Sequence, residues 1–272
     1  MSIAIFTGSI VAGFLGSLTG LGGGVVIVPL LTLVFGVDIH YALGASLVAV
    51  IATSSGAASA YVREGFTNIR AGMFLEVATT AGAVAGASLT AVFAPSATAV
   101  VFGCMLLFSS YVSARPPLED PDAVPDKLTS RLRMNGSYLE DGKEKNYSVH
   151  NFPGGFGLMF AAGTLSGLLG IGSGALKVLA MDRIMRMPFK VSTTTSNFMI
   201  GVTAAASAGV YLANGYIEPG LAMPVVLGVL AGSLAGARKL KEARSKTLRN
   251  IFVFAILALG LEMIYNGLAG RF

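Results

Sequence analysis

Apolar residues come in long runs separated by short polar breaks, at about 3–35, 41–62, 71–93, 97–113, 154–181, 191–213, 219–237 and 250–268. A helix needs roughly 20 apolar residues to cross a hydrocarbon core of about 30 Å, so the runs predict membrane-spanning helices. Two runs are too long for one crossing and hold glycine clusters. These are Gly20-Leu21-Gly22-Gly23-Gly24 within 3–35 and Gly170-Ile171-Gly172-Ser173-Gly174 within 154–181. Each is expected to form a helical hairpin: one segment in, a glycine break, and a shorter segment back.

The pattern changes between 114 and 153. Arg115, Lys127, Arg131, Arg133, Lys143 and Lys145 alternate there with seven carboxylates, from Glu119 to Glu144. Pro116, Pro117, Pro121 and Pro125 oppose helix at its start. A solvated linker is expected, with room for a little structure of its own. The chain then divides into a first transmembrane repeat (1–113), a charged cytoplasmic linker (114–153) and a second transmembrane repeat (154–272).

The two halves align without gaps at an offset of 150 residues. Gly13, Leu15, Leu18, Gly20, Gly22 and Gly24 meet Gly163, Leu165, Leu168, Gly170, Gly172 and Gly174. Ser46, Thr53 and Tyr61 meet Ser196, Thr203 and Tyr211, and Gly82 and Gly86 meet Gly232 and Gly236. Glycine and alanine matches follow from membrane composition, but serine, threonine and tyrosine in the same register mark a true repeat.

Basic residues orient the halves, because short cytoplasmic loops are enriched in Lys and Arg. The loop at 63–70 carries Arg63 and Arg70, whereas its counterpart at 213–220 has neither Lys nor Arg. Conversely, 182–190 and 238–249 are basic and their counterparts 32–40 and 88–99 are not. Equivalent loops therefore lie on opposite sides. The expected fold is an all-α polytopic membrane protein of two inverted repeats, each a glycine-broken hairpin plus three transmembrane helices. The chain is expected in the cell membrane, with its linker in the cytoplasm.

Composition agrees. Of the 272 residues 54% are hydrophobic and 12% charged, about half the charge of a soluble domain. The net charge of +5 and pI near 9.4 would suit nucleic acid, but the basic residues sit in short loops between apolar runs. No nucleic-acid partner is expected. The single cysteine, Cys104, excludes a disulfide framework. No enzymatic activity, cofactor or metal is expected. His40 and His150 fall outside the apolar runs, so Ser173 lacks the base that an intramembrane protease needs.

Inverted repeats permit two conformations, one open to each side, with a site near the midplane where broken helices meet. A glycine break frees N–H groups at a half-helix N-terminus, an end that suits an anion. The candidate substrate-binding residues are Gly22, Gly23, Gly24, Ser46, Gly172, Ser173, Gly174, Lys177, Ser196 and Asn197. Glycines also serve close helix packing, the reading preferred for Gly82, Gly86, Gly232 and Gly236. Lys177 lies in an apolar run and aligns with Ile27. It either contacts substrate or snorkels toward the loop at 182–186. Thr193 and Thr194 are expected to serve local hydrogen bonding. Glu76 and Glu262 could relay a proton, but Glu76 is six residues past Arg70, and an interfacial ion pair between them is expected. The partners expected are a small anion and membrane lipid; a homodimer is compatible with the sequence.

The run Gly20-Leu21-Gly22-Gly23-Gly24-xxxx-Pro29, with Gly167-xx-Gly170-Ile171-Gly172-Ser173-Gly174 and Lys190-Val191-Ser192-Thr193-Thr194-Thr195-Ser196-Asn197, resembles the sulfite exporter TauE/SafE family. The likeness runs in order along nearly the whole chain. It implies secondary transport, in the export direction, of a small sulfur-containing anion such as sulfite or an organosulfonate. The chain departs from the pattern at Ser173, inside the glycine run, and at Leu179, where the first half has Pro29. A passive anion channel is the alternative, since inverted repeats also build channels.

Overall fold

The structure, a computed structural model, describes residues 2–19, 23–63, 67–114, 127–140, 143–240 and 245–270. The first half comprises α1 (Ser2–Thr19), α2 (Gly24–Pro29) with a π-helical turn at Leu30–Val34, α3 (Ile39–Arg63), α4 (Ile69–Thr90) and α5 (Pro95–Ala114). Between the halves lie α6 (Lys127–Arg131) and strands β1 (Gly136–Glu140) and β2 (Lys143–Tyr147). The second half comprises α7 (Phe152–Leu169), α8 (Gly174–Leu179) with a π-helical turn at Ala180–Ile184, α9 (Phe189–Ala213), α10 (Pro219–Leu240) and α11 (Ser245–Leu268).

From α1 to α4 every bound recurs at 150 residues' offset, including both π turns. The turns that follow correspond as well: Gly36 at φ 63° after the first hairpin, Arg186 at φ 54° after the second. Packing is reciprocal. The first helix of each half lies along the fourth of the other (α1 on α10, α7 on α4), and α3 packs on α9. These contacts need glycine. A Cβ at Gly82 would collide with the carbonyl oxygen of Phe160, at Gly86 with that of Thr164, at Gly163 with that of Thr79, and at Gly232 with that of Ile10. Packing, as read from the sequence, is what Gly82, Gly86 and Gly232 do; the side-chain surroundings of position 236 lie outside the described residues.

Large apolar side chains face outward as well as inward, as lipid contact allows, and in α4 the inner face is mostly small or polar. In α4, Met73, Val77 and Val84 are exposed, while Gly72, Thr79, Gly82, Gly86 and Thr90 are buried. Among the described residues α4, α7 and α9 are long and apolar enough to cross a membrane. This is an all-α membrane protein, with the β1–β2 hairpin its one departure among the described residues. His40, expected in a loop, sits in the first turn of α3 with its ring stacked on Tyr216 at 5.0 Å.

The linker is less solvated than expected. Met134 and Val149 are fully buried in a methionine-rich cluster with Met181, Met185 and Met187, at the end of the second hairpin. The His150 N–H donates to the Met185 carbonyl at 3.0 Å. Asn68, the N-cap of α4, accepts from Ala71 N–H at 2.9 Å, while its Nδ2 donates to the Met134 carbonyl at 2.7 Å and the Tyr147 hydroxyl oxygen at 2.8 Å. One side chain therefore caps a transmembrane helix and docks the linker on it. Burial pushes the Tyr147 phenol up to about 12, with the Asn68 hydrogen bond pulling the other way.

Candidate functional site

The two glycine breaks meet. A Cβ at Gly24 would stand 2.6 Å from Ser46 Oγ and 3.5 Å from Ile171 Cα, which lies in the other half's break. Ser46 Oγ donates to the Gly170 carbonyl at 2.9 Å, and Ser196 Oγ donates to the Gly174 carbonyl at 3.2 Å. So α3 and α9, packed together at the centre, each present a serine to the second break. Gly170 and Gly172 adopt φ of 62° and 71°, a region open to glycine without strain. Ser173 adopts φ 43° as well, and its buried hydroxyl has no partner among the described residues. A non-glycine residue held there is strained, and such strain gathers at functional sites.

A helix begins at each break. α2 starts after Gly23 and α8 after Ser173, and no side chain caps either one. The first N–H groups of a helix have no partner within it, so both ends present donors and partial positive charge. Of the candidate residues, Gly23, Gly24, Ser46, Gly172, Ser173, Gly174 and Ser196 belong to the two breaks or touch them. Gly22 lies outside the described residues. Asn197 is buried on α9, but among the described residues it makes no hydrogen bond to either break. Thr193 and Thr194 donate to the carbonyls of Phe189 and Lys190 one turn back, as expected of local partners.

Lys177 stands one turn beyond Ser173 and is fully buried. It does not snorkel toward the 182–186 loop. Its Nζ donates to the Thr203 hydroxyl, whose own proton goes to Glu76 Oε1 at 2.6 Å. Nζ also lies 3.9 Å from Glu76 Oε2, and Thr80 donates to Oε1 at 3.2 Å. The ionic partner of Glu76 is thus Lys177, not Arg70, and Glu76 is buried while Arg70 is exposed. A seven-residue step along α9 keeps Ser196 and Thr203 on one face, so the α8–α9 seam runs from the break to the ion pair. Glu76 Oε2 accepts no hydrogen bond from a described residue, and Lys177 uses one of its three donors on one.

The pair spans the two halves, and the repeat-related position has no such pair. At the equivalent positions Lys177, Glu76 and Thr80 become Ile27, Val226 and Leu230, and only Thr203 keeps its counterpart, Thr53. Thr53 bonds back to the Ala49 carbonyl at 3.1 Å. Sequence reasoning missed Thr203 and Thr80, and it misassigned Glu76. The available signal was charge balance: two opposite charges within apolar runs each need a buried partner, and each is the other's. Glu262 is exposed and lines an open groove with Thr32, Asp38 and Asn266. No group of three or more metal-ligating side chains occurs among the described residues.

A family model described as "Sulfite exporter TauE/SafE" matches residues 5–263. The chain is similar to "Probable membrane transporter protein YunE" of Bacillus subtilis (strain 168), 28% identical over 266 residues, covering 95% of this chain and 96% of that protein. It is also similar to "Probable membrane transporter protein YdhB" of the same strain, 27% identical over 238 residues and 87% of each chain. A third relative, "Probable membrane transporter protein" of Xylella fastidiosa (strain 9a5c), is 25% identical over 270 residues, 98% of this chain and 96% of its own. No solved structure matches significantly.

Proposed function

The chain belongs to the sulfite exporter TauE/SafE family, and from that premise we propose that this membrane transporter is a secondary carrier of a small sulfur-containing anion, sulfite or an organosulfonate. The observation that carries the reading is the meeting of the two glycine breaks, Gly24 against Ile171 with Ser46 bonded to the Gly170 carbonyl. A half-helix begins at each break without a side-chain cap, and Lys177, paired with Glu76, lies one turn beyond the second. Such ends stabilise a bound anion through N–H donors. The binding site comprises Gly22, Gly23, Gly24, Ser46, Gly172, Ser173, Gly174, Lys177, Ser196 and Asn197.

The repeats are inverted in this reading. Reciprocal packing of first helix on fourth supports it, as does the exchange of basic loops between halves. The linker and the basic loops of the second half lie in the cytoplasm, and the protein spans the cell membrane. Exchange of the roles of the two halves exposes the breaks to alternate sides. Net flow follows the gradients, outward when the cytosolic anion exceeds the external one.

The test is flux of sulfite and organosulfonates into proteoliposomes, with chloride and sulfate as comparisons and protein-free liposomes as blank. A carrier shows saturable uptake that accelerates when the same anion is loaded on the far side. A channel shows flux without that acceleration. Folded protein with no flux of either sulfur anion would remove the substrate class.

A further inference from the structure

Lys177 and Glu76 form a neutral pair at the end of the seam that starts at the substrate break. We propose that the pair couples transport to protons: an anion that takes the Lys177 ammonium does so together with one proton on Glu76. The inference rests on the reading of the breaks as an anion site.

Net charge forces the coupling. In the empty site Lys177 and Glu76 balance each other. An anion that engages the ammonium while Glu76 stays ionised leaves one uncompensated negative charge away from water, which is costly. Protonating the carboxylate restores neutrality with the ammonium now facing the anion. On release the anion leaves the ammonium, Glu76 returns its proton to the same side, and the pair re-forms. No bond other than O–H changes.

The surroundings leave these two groups to do it. α4, which carries Glu76, packs on α7, which has no titratable residue, and on α9, which offers Thr203 to Glu76. Lys190, near the start of α9, is exposed, and Tyr211 near its other end bonds the Leu168 carbonyl at 3.0 Å. After α8, Asp182 is buried against Arg183 at 3.4 Å and is already balanced. From α5, Cys104 and Tyr111 are exposed. His150 and Tyr147 belong to the docked linker, at the end of the second hairpin. Thr203 and Thr80 touch Glu76 Oε1, while Oε2 accepts no hydrogen bond from a described residue. The repeat-related positions are Ile27 and Val226, neither of them ionisable, so with this one pair each cycle moves one anion and one proton.

The probe is methanesulfonate, which stays monoanionic, with sulfite in parallel. Proteoliposomes holding the full chain are given a gradient of one pH unit, with membrane potential clamped. One proton per anion predicts about tenfold accumulation on the alkaline side, unaffected by potential. Glu76→Gln abolishes this accumulation, Glu76→Asp restores part of it, and Glu262→Gln, at the other intramembrane acid, keeps it. Wild-type anion flux that comes to equal concentrations despite the gradient overturns the inference and leaves the carrier reading standing. A monodisperse Glu76→Gln protein that still accumulates tenfold overturns it too. No flux of either anion removes the carrier reading, and the inference with it.

Discussion

Ser46, in the first half, donates its hydroxyl proton to the carbonyl of Gly170 in the second, 2.9 Å away. Its repeat counterpart Ser196 makes the same kind of bond to Gly174 at 3.2 Å. Both serines are essentially inaccessible. A buried hydroxyl to carbonyl bond contributes about 1 kcal/mol, and a carbonyl left without a donor costs somewhat more. Ser46→Ala and Ser196→Ala should each destabilise the protein by about 1–2 kcal/mol, read as thermal unfolding in detergent. If these bonds also hold the breaks in register for substrate, each variant loses affinity for sulfite beyond what its unfolding shift explains. Unchanged unfolding in both would mean that the hydroxyls find other acceptors.

The helix-on-helix contacts make a sharper stability prediction. Gly86 and Gly163 touch backbone on the facing helix, so an added side chain has only backbone to push against. Overpacking of a core usually costs 1–3 kcal/mol where side chains can yield. Here they cannot, so Gly86→Val and Gly163→Val are expected at or above the top of that range. Gly209 has open space around its Cβ position and is exposed on α9. Gly209→Ala should therefore leave stability unchanged or raised by up to about 1 kcal/mol. Equal loss in all three variants would break the link to close approach.

Removing one member of a buried pair strands the other, at about 3–5 kcal/mol. Lys177→Met should therefore destabilise strongly, because Glu76 keeps a charge with nothing to balance it. Adding Glu76→Gln to that variant should recover much of the loss. A double-mutant cycle reads the coupling directly, and a coupling near zero would mean that the 3.9 Å approach contributes nothing.

Much of this architecture is written in the chain because lipid imposes strong rules on sequence. Apolar runs set the helices, and the glycine clusters placed both hairpin breaks correctly, with the second helical segments starting at Gly24 and Gly174. The 150-residue repeat survived in structure because the same glycines are needed at both reciprocal interfaces. What was not legible depended on partners distant in sequence. Glu76 was assigned to Arg70 because proximity along the chain is visible and proximity across α4, α8 and α9 is not. Thr203 stood in the repeat alignment with nothing to mark that it alone of the pair had acquired a lysine to bind. The docked linker was hidden because Met134, Tyr147 and Val149 are isolated among charges and show no period. Their burial comes from Met181, Met185 and Met187, which the hairpin supplies.

The last prediction concerns that linker. Asn68 holds α4 and the β-hairpin together through one amide, so Asn68→Ala removes a helix cap and two docking bonds at once. Loss of an N-cap alone is worth about 0.5–2 kcal/mol. The variant should keep its transmembrane core yet open β1 and β2 to protease and to hydrogen exchange faster than wild type does. Tyr147 adds a pH signature. Its phenol is raised from the ordinary 10.0 to about 12 by burial in the docked state, so docking favours the neutral form. That stabilisation is complete below about pH 10 and is lost as pH rises through about 12. Docking is then independent of pH across the neutral range and loosens only in strong base. The difference in tyrosinate absorbance between wild type and Tyr147→Phe isolates this one phenol. A midpoint near 12 supports a docked linker, whereas a midpoint near 10 would place Tyr147 in water and the hairpin off the membrane helices.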